Sequence, residues 1–174
     1  MDGYRVFTWD AERFPDPAQL IRELGVRVVA IVDPGVKIDP GYGVYDDLIE
    51  RGFACVEPDG EAWIGKVWPG ACVFPDFSSA AARHWWGDLH RGLVEAGVDG
   101  IWIDMNEPSV DRRRTFPDHV RHTACTHAEL HNAYGHLMAQ ATFEGLERLR
   151  PRVRPFVLTR GGAPARNATP RRGP

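Results

Sequence analysis

The apolar positions of this chain change their spacing along its length, and each change marks an element. Pro17 to Leu24 has the apolar spacing of a short helix, with Gly25 to close it. Arg27 to Val32 is β-branched and apolar on both faces, which predicts a parallel strand covered on both sides; it ends at Asp33-Pro34-Gly35, a carboxylate followed by a turn. Between Gly35 and Asp76 glycines, prolines and aromatics (Tyr42, Tyr45, Trp63, Trp68, Phe74, Phe77) are scattered through short strand-like pieces. That stretch reads as one long structured loop, a lid or binding loop whose aromatics stack on sugars or fill a satellite core, with the core reading ahead for any single ring.

Periodicity returns with Ala80, Ala81, Trp85, Leu89, Leu93 and Val94, a helix capped by Ser78 or Ser79 and stopping near Gly97, in which Trp85 and Trp86 are packing residues. Ile101 to Ile103 forms a second apolar strand, and Asp104-Met105-Asn106-Glu107-Pro108-Ser109 cuts it off in acid, amide, acid and proline. A polar, arginine-rich loop from Val110 to Thr126 leads to a long helix from about His127 to Arg148. Pro151 and Pro155 bracket a turn before the last strand, Phe156 to Thr159, which delivers Arg160 to the same rim as the acids.

Strand, helix, strand, helix, strand is the order of a parallel α/β sheet built from right-handed units. Active sites of such sheets lie at the carboxyl ends of the strands, where Asp33, Asp104 and Arg160 fall. A (β/α)8 barrel takes about 250 residues, so a TIM barrel drawn from these three or four strands is incomplete, roughly half of one.

Composition narrows the classes. With 43% apolar and 10% aromatic residues in 174, the chain is globular and long enough for a sizeable core. A net charge of -3 offers no general field for nucleic acid or anionic lipid, and the basic run at Arg112 to Arg114 reads as solvated surface. The longest apolar stretch, Val28 to Val32, is too short to span a membrane, and Met1 to Asp10 lacks the apolar core of an export signal. Cys55, Cys72 and Cys125 are odd in number and widely spaced, so neither a disulfide framework nor a cysteine metal site is expected, and a reducing cytoplasm is the expected setting.

Two strand-end carboxylates beside aromatics and an arginine, without a phosphate-cradling glycine loop or a Ser or Cys nucleophile signature, suit glycoside chemistry. One carboxylate traps the oxocarbenium-like centre while a second carboxyl protonates the leaving oxygen. Strand-end acids also ligate magnesium in many barrels. A rival reading takes His119, His122, His127 and His131 as a metal cluster, the last two at i, i+4 on a helix face. No Glu follows His127 in a His-Glu-x-x-His pattern, so the expectation is no metal and no cofactor.

Trp102-Ile103-Asp104-Met105-Asn106-Glu107-Pro108-Ser109 resembles the active-site signature of glycoside hydrolase family 31, the retaining α-glucosidase and α-xylosidase family. Met1 to Asp10, Ile31 to Gly35, Gly65 to Gly70, Phe74 to Phe77, His131 to Gly135 and Pro155 to Arg160 are similar to the same family in the same order. The resemblance implies that Asp104 is the nucleophile of a covalent glycosyl-enzyme intermediate. It places Ile31, Trp68, Trp102, Met105 and Arg160 around the terminal sugar of an α-glucoside or oligosaccharide substrate, with Asp33 and Glu107 in support.

Departures from the family carry expectations of their own. The family's acid/base aspartate follows in a Trp-x-Gly-Asp-Asn segment at a position past Pro174, and a sugar-binding aspartate precedes Met1. Residues 1–160 are therefore expected to be a partial catalytic barrel, and 161–174 a frameshifted or disordered tail. On that reading the chain alone lacks the acid and is inactive or nearly so. The alternative is a non-catalytic sugar-binding remnant or a pseudogene-like product.

Overall fold

A computed structural model describes residues 1–110 and 114–161; the expected tail beyond Arg160 lies, apart from Gly161, outside them, as do Arg112 and Arg113. Its centre is a parallel sheet of three strands, β1 (Val29–Val32), β5 (Gly100–Ile103) and β8 (Val157–Thr159), in the order β1-β5-β8. The register sets Val32 beside Ile103 and Ile103 beside Thr159. This is the parallel arrangement the alternating strand and helix patterns predict.

The connections begin and end where local chemistry directs them. Helix α1 (Pro17–Leu24) opens with the Asp16 carboxylate accepting from Gln19 N at 2.8 Å and closes at Gly25, whose φ of 62° suits a residue without Cβ. Helix α3 (Ala80–Leu89) is capped by Ser79. A short ribbon of β6 (Ser109–Val110) and β7 (Arg114–Thr115) follows the middle strand. Helix α5 (His127–Leu149) starts with a reciprocal capping box between Thr126 and Glu129.

Two expectations about where elements begin and end are corrected. The stretch from Gly35 to Asp76 is not one loop: it folds into an antiparallel sheet of β2 (Val36–Lys37), β4 (Gly70–Val73) and β3 (Gly65–Val67), with helix α2 (Gly43–Glu50) between β2 and β3 along the chain. The signal for α2 is weak because it is short, lacks a side-chain N-cap and buries only Leu48. The single helix predicted through Val94 breaks at His90 into α3 and α4 (Arg91–Glu95); the buried His90 ring turns back to the carbonyl of Trp86 at 3.0 Å.

The core lies between the sheet and α3 and α5. Trp86 is fully buried with Phe7 and Phe77 edge-on to it, and Gly87 of α3 meets Gly145 of α5 so closely that a Cβ on Gly87 would stand 2.9 Å from the Gly145 Cα. Tyr42, Trp63, Phe74 and Phe77 are buried as core residues, whereas Trp68 is 75% exposed. The other face of the sheet departs from the expectation that β1 is covered on both sides: Val29 and Ile31 of β1 are exposed, Ile31 at 46%, as are Trp102, Phe156 and Leu158 alongside them. Apolarity on both faces predicts burial on both; among the described residues only the face of Val32, Ile101 and Ile103 is packed.

Candidate active site

Each of the three parallel strands ends in a charged residue. Because Val32, Ile103 and Thr159 are in register, the next residues, Asp33, Asp104 and Arg160, come together at the carboxyl rim. Strand alternation puts them on the face of Ile31, Trp102 and Leu158, the uncovered one. Ile31 and Trp102 are direct neighbours in the register, so they make an apolar floor below the charges.

Asp104 is partly buried, and its Oδ1 accepts from Arg160 Nη1 at 3.1 Å and from the Met105 backbone N–H at 2.9 Å. Met105 has φ of 55°, a left-handed conformation that is costly for a side chain with Cβ, and it turns the chain sharply behind the carboxylate. Arg160 Nε reaches Glu107 Oε1 at 3.0 Å, so the guanidinium bridges the two acids of the Asp-Met-Asn-Glu run. Glu107 Oε2 in turn accepts from Ser109 Oγ at 3.0 Å.

Asp33 has no such support. Its Oδ1 is buried without a hydrogen-bond partner. Burial, and after it the neighbouring Asp104, push its carboxyl up to about 6, against the opposing pull of Arg160. Asp33 also lines a small hollow with Met1, Tyr4, Val6, Val67 and Trp68, which brings the exposed indole of Trp68, at the tip of the β3–β4 hairpin, to the same rim. The described structure thus gathers Asp33, Asp104, Glu107 and Arg160 over Ile31 and Trp102, with Met105 forming the turn and Trp68 at the margin.

The histidines do something else. Asp76 Oδ1 meets His122 Nδ1 at 3.0 Å, His122 Nε2 meets His127 Nδ1 at 3.1 Å, and His127 Nε2 meets His131 Nδ1 at 2.9 Å. Burial raises the Asp76 carboxyl, but hydrogen bonds from His122, Thr123 and Ser78 more than reverse this and hold it below the ordinary carboxylate range. His119 is apart on the surface, 3.1 Å from Glu57. The inner histidines spend their ring nitrogens on one another, and among the described residues no group of three or more His, Cys, Asp or Glu side chains is placed to hold a metal ion.

One residue of this site is missing from the sequence-based set. Asn106 is fully buried directly behind Asp104 and hydrogen-bonds residues of α5 and of the end of β8. In the sequence its only mark is an amide between two acids.

The family described as Glycosyl hydrolases family 31 TIM-barrel domain matches residues 1–170. Alpha-glucosidase 2 of Bacillus thermoamyloliquefaciens is 48% identical over 93% of this chain and 22% of its own length; an alpha-glucosidase of Saccharolobus solfataricus is 38% identical over 93% and 27%. Among solved structures, the ER glucosidase II heterodimeric complex of catalytic subunit and regulatory-subunit binding domain gives a TM-score of 0.84 at 34% identity, covering 93% of this chain and 19% of that one. The family 31 alpha-glucosidase of Bacteroides thetaiotaomicron gives 0.76 at 38%, covering 93% and 27%. The chain therefore spans about a fifth to a quarter of the length of these relatives. It belongs to glycosyl hydrolase family 31, as part of that family's TIM-barrel domain.

Proposed function

We propose that this chain carries the nucleophile side of a retaining α-glucosidase site, on roughly half of a (β/α)8 barrel. The observation that carries the reading is the Asp104 carboxylate, set at the end of the middle strand and paired at 3.1 Å with Arg160. The guanidinium and the Met105 N–H both meet Oδ1, which orients the carboxylate at the strand end as a nucleophile requires. Asp104 attacks the anomeric carbon of a terminal α-glucosyl unit, the bond to the leaving oxygen breaks, and a glycosyl ester forms that water later cleaves. Ile31, Trp68, Trp102 and Met105 bound the sugar, and the uncovered sheet face is the wall it lies against.

A leaving sugar or phenol needs a proton from the side opposite the nucleophile, and the other rim acids stand on the side of Asp104: Asp33 ends the neighbouring strand, and Glu107 is engaged by Arg160 and Ser109 on the same turn. General acid assistance is worth on the order of 10²–10⁴-fold, so the chain by itself is expected to turn over aryl α-glucosides weakly or not at all. Fluoride leaves without such help. Treatment with 5-fluoro-α-D-glucosyl fluoride should therefore break the C1–F bond, release fluoride and leave the glycosyl unit esterified to Asp104, as peptide mass spectrometry reads directly. Asp104→Asn should take no label. A folded wild-type chain that binds the sugar but never acquires the ester would replace the nucleophile reading with that of a non-catalytic sugar-binding remnant, which the uncovered apolar face also accommodates.

A further inference from the structure

We propose that Asn106 is a positioning residue that locks Arg160 against Asp104, so that the geometry of the nucleophile depends on an amide that never touches the sugar. This rests on the reading of Asp104 as the nucleophile and extends it to the question of what holds its guanidinium in place.

Arg160 needs a holder. Its side chain is 56% exposed, and an ion pair that open contributes little against the rotamer freedom of arginine. The β5–β8 ladder ends beneath it: the last registered pair is Ile103 with Thr159, and the Arg160 N–H reaches back to the Ile103 carbonyl at 3.1 Å. Beyond that point the chain is held by Asn106. Its Oδ1 accepts from Gly161 N at 3.0 Å, and the two hydrogens of its Nδ2 are shared among Gly161 O at 2.9 Å, Thr159 Oγ1 at 2.9 Å and the Gly135 carbonyl of α5 at 3.1 Å. Thr159 Oγ1 closes the loop by donating to Gly161 O at 2.7 Å.

The residues on either side of Arg160 are thus tied to one side chain, and that side chain stands two positions after the nucleophile. The clamp is also packed tightly. A Cβ on Gly135 would come to 2.6 Å from the Asn106 carbonyl and 2.7 Å from that of Gly161, so only glycine lets α5 approach. Since the clamp takes over where strand pairing stops, removing it should leave the sheet intact and release Arg160. A displacement of about 1 Å at such a site costs up to roughly 10²-fold in rate.

The test is a double-mutant cycle on the full chain, read as the rate at which 5-fluoro-α-D-glucosyl fluoride labels Asp104, with circular dichroism and urea midpoints recorded for every variant. Asn106→Ala and Arg160→Ala are each expected to slow labelling by roughly 10–100-fold. In the Arg160→Ala background, Asn106→Ala should change the rate by less than about threefold, because residues acting as a unit are not additive. Factors that multiply overturn the proposal, since a merely structural asparagine acts whether or not Arg160 is present. Should Asn106→Ala unfold, Asn106→Asp takes its place; it keeps the acceptor for Gly161 N and loses the Nδ2 donors.

A second readout is independent of any reaction. The Arg160 Nε–H, bonded to Glu107, should give a resolved nitrogen-15 NMR resonance in the wild type that broadens away in the Asn106 variant while the Ile101 and Ile103 methyl signals stay put. If the wild type takes no label, the nucleophile reading fails and this resonance alone decides the clamp. Its persistence in the variant overturns the proposal, and its loss supports it.

Discussion

Replacing Asp33 by asparagine should make the chain more stable at neutral pH, by an amount that disappears in acid. The residue sits beside Asp104 at the strand ends, with a buried, unpartnered Oδ1 and a carboxyl pushed up to about 6 from its ordinary 3.8, first by burial and then by Asp104. Ionising a carboxyl raised that far costs roughly 3 kcal/mol more in the fold than in the open chain, and partial solvent screening at a rim position brings this to about 1–2 kcal/mol. The sign follows from linkage. A carboxyl raised in the fold contributes stability that is complete below 3.8 and is lost as pH rises through 6, because the unfolded chain gives up that proton first. Asparagine has the same shape and no charge to create, and the titrations of groups that do not interact with Asp33 cancel in the comparison. Urea unfolding followed by tryptophan fluorescence, on both proteins at about pH 4.5, 5.5, 6.5 and 7.5, should therefore show a gap that is small at the lowest pH, opens through 6 and levels off at about 1–2 kcal/mol. A gap independent of pH, or a variant less stable at about pH 7.5, would refute the assignment of the strain to Asp33 ionisation.

Two further outcomes test the scaffold. Gly145→Ala drives a Cβ into the backbone of Gly87 where α3 crosses α5 and should cost about 1–3 kcal/mol, a fall in Tm of several degrees; Gly92→Ala, with open space around it in α4, should be neutral or slightly stabilising, and equal effects of the two changes would count against tight α3–α5 packing. His90 and His127 are both held near 4 from 6.5, burial being the larger cause in each. They stay neutral in the fold, so their contribution is complete above 6.5 and is lost as pH falls through 4, outweighing the opposite trend of Asp33. The net loss between about pH 7 and pH 4.5 should be about 3–4 kcal/mol, and a urea midpoint that is equal or higher at the acid end would contradict it.

The parts of this molecule legible in its sequence are those whose signals are local. A closing glycine at Gly25, a capping serine at Ser79, and apolar runs that stop in Asp33 and Asp104 each sit within a few residues of the element they define. What could not be read is what the partner, and not the run, decides. Val29 and Ile31 are as apolar as Val32, yet only Val32 is covered, because burial belongs to whatever packs against a face. Helix α2 has too little cap and too little apolar face to stand out from the glycines and aromatics around it. The site divides in the same way. Asp104 and Arg160 are visible as strand ends, but that they touch depends on the register of β5 with β8. Asn106 is invisible as a functional residue because its partners lie 29 and 55 residues away, and an amide between two acids reads as a turn until those partners arrive. A residue whose role is to hold others is recognised by its contacts, and these are the last thing a linear pattern supplies.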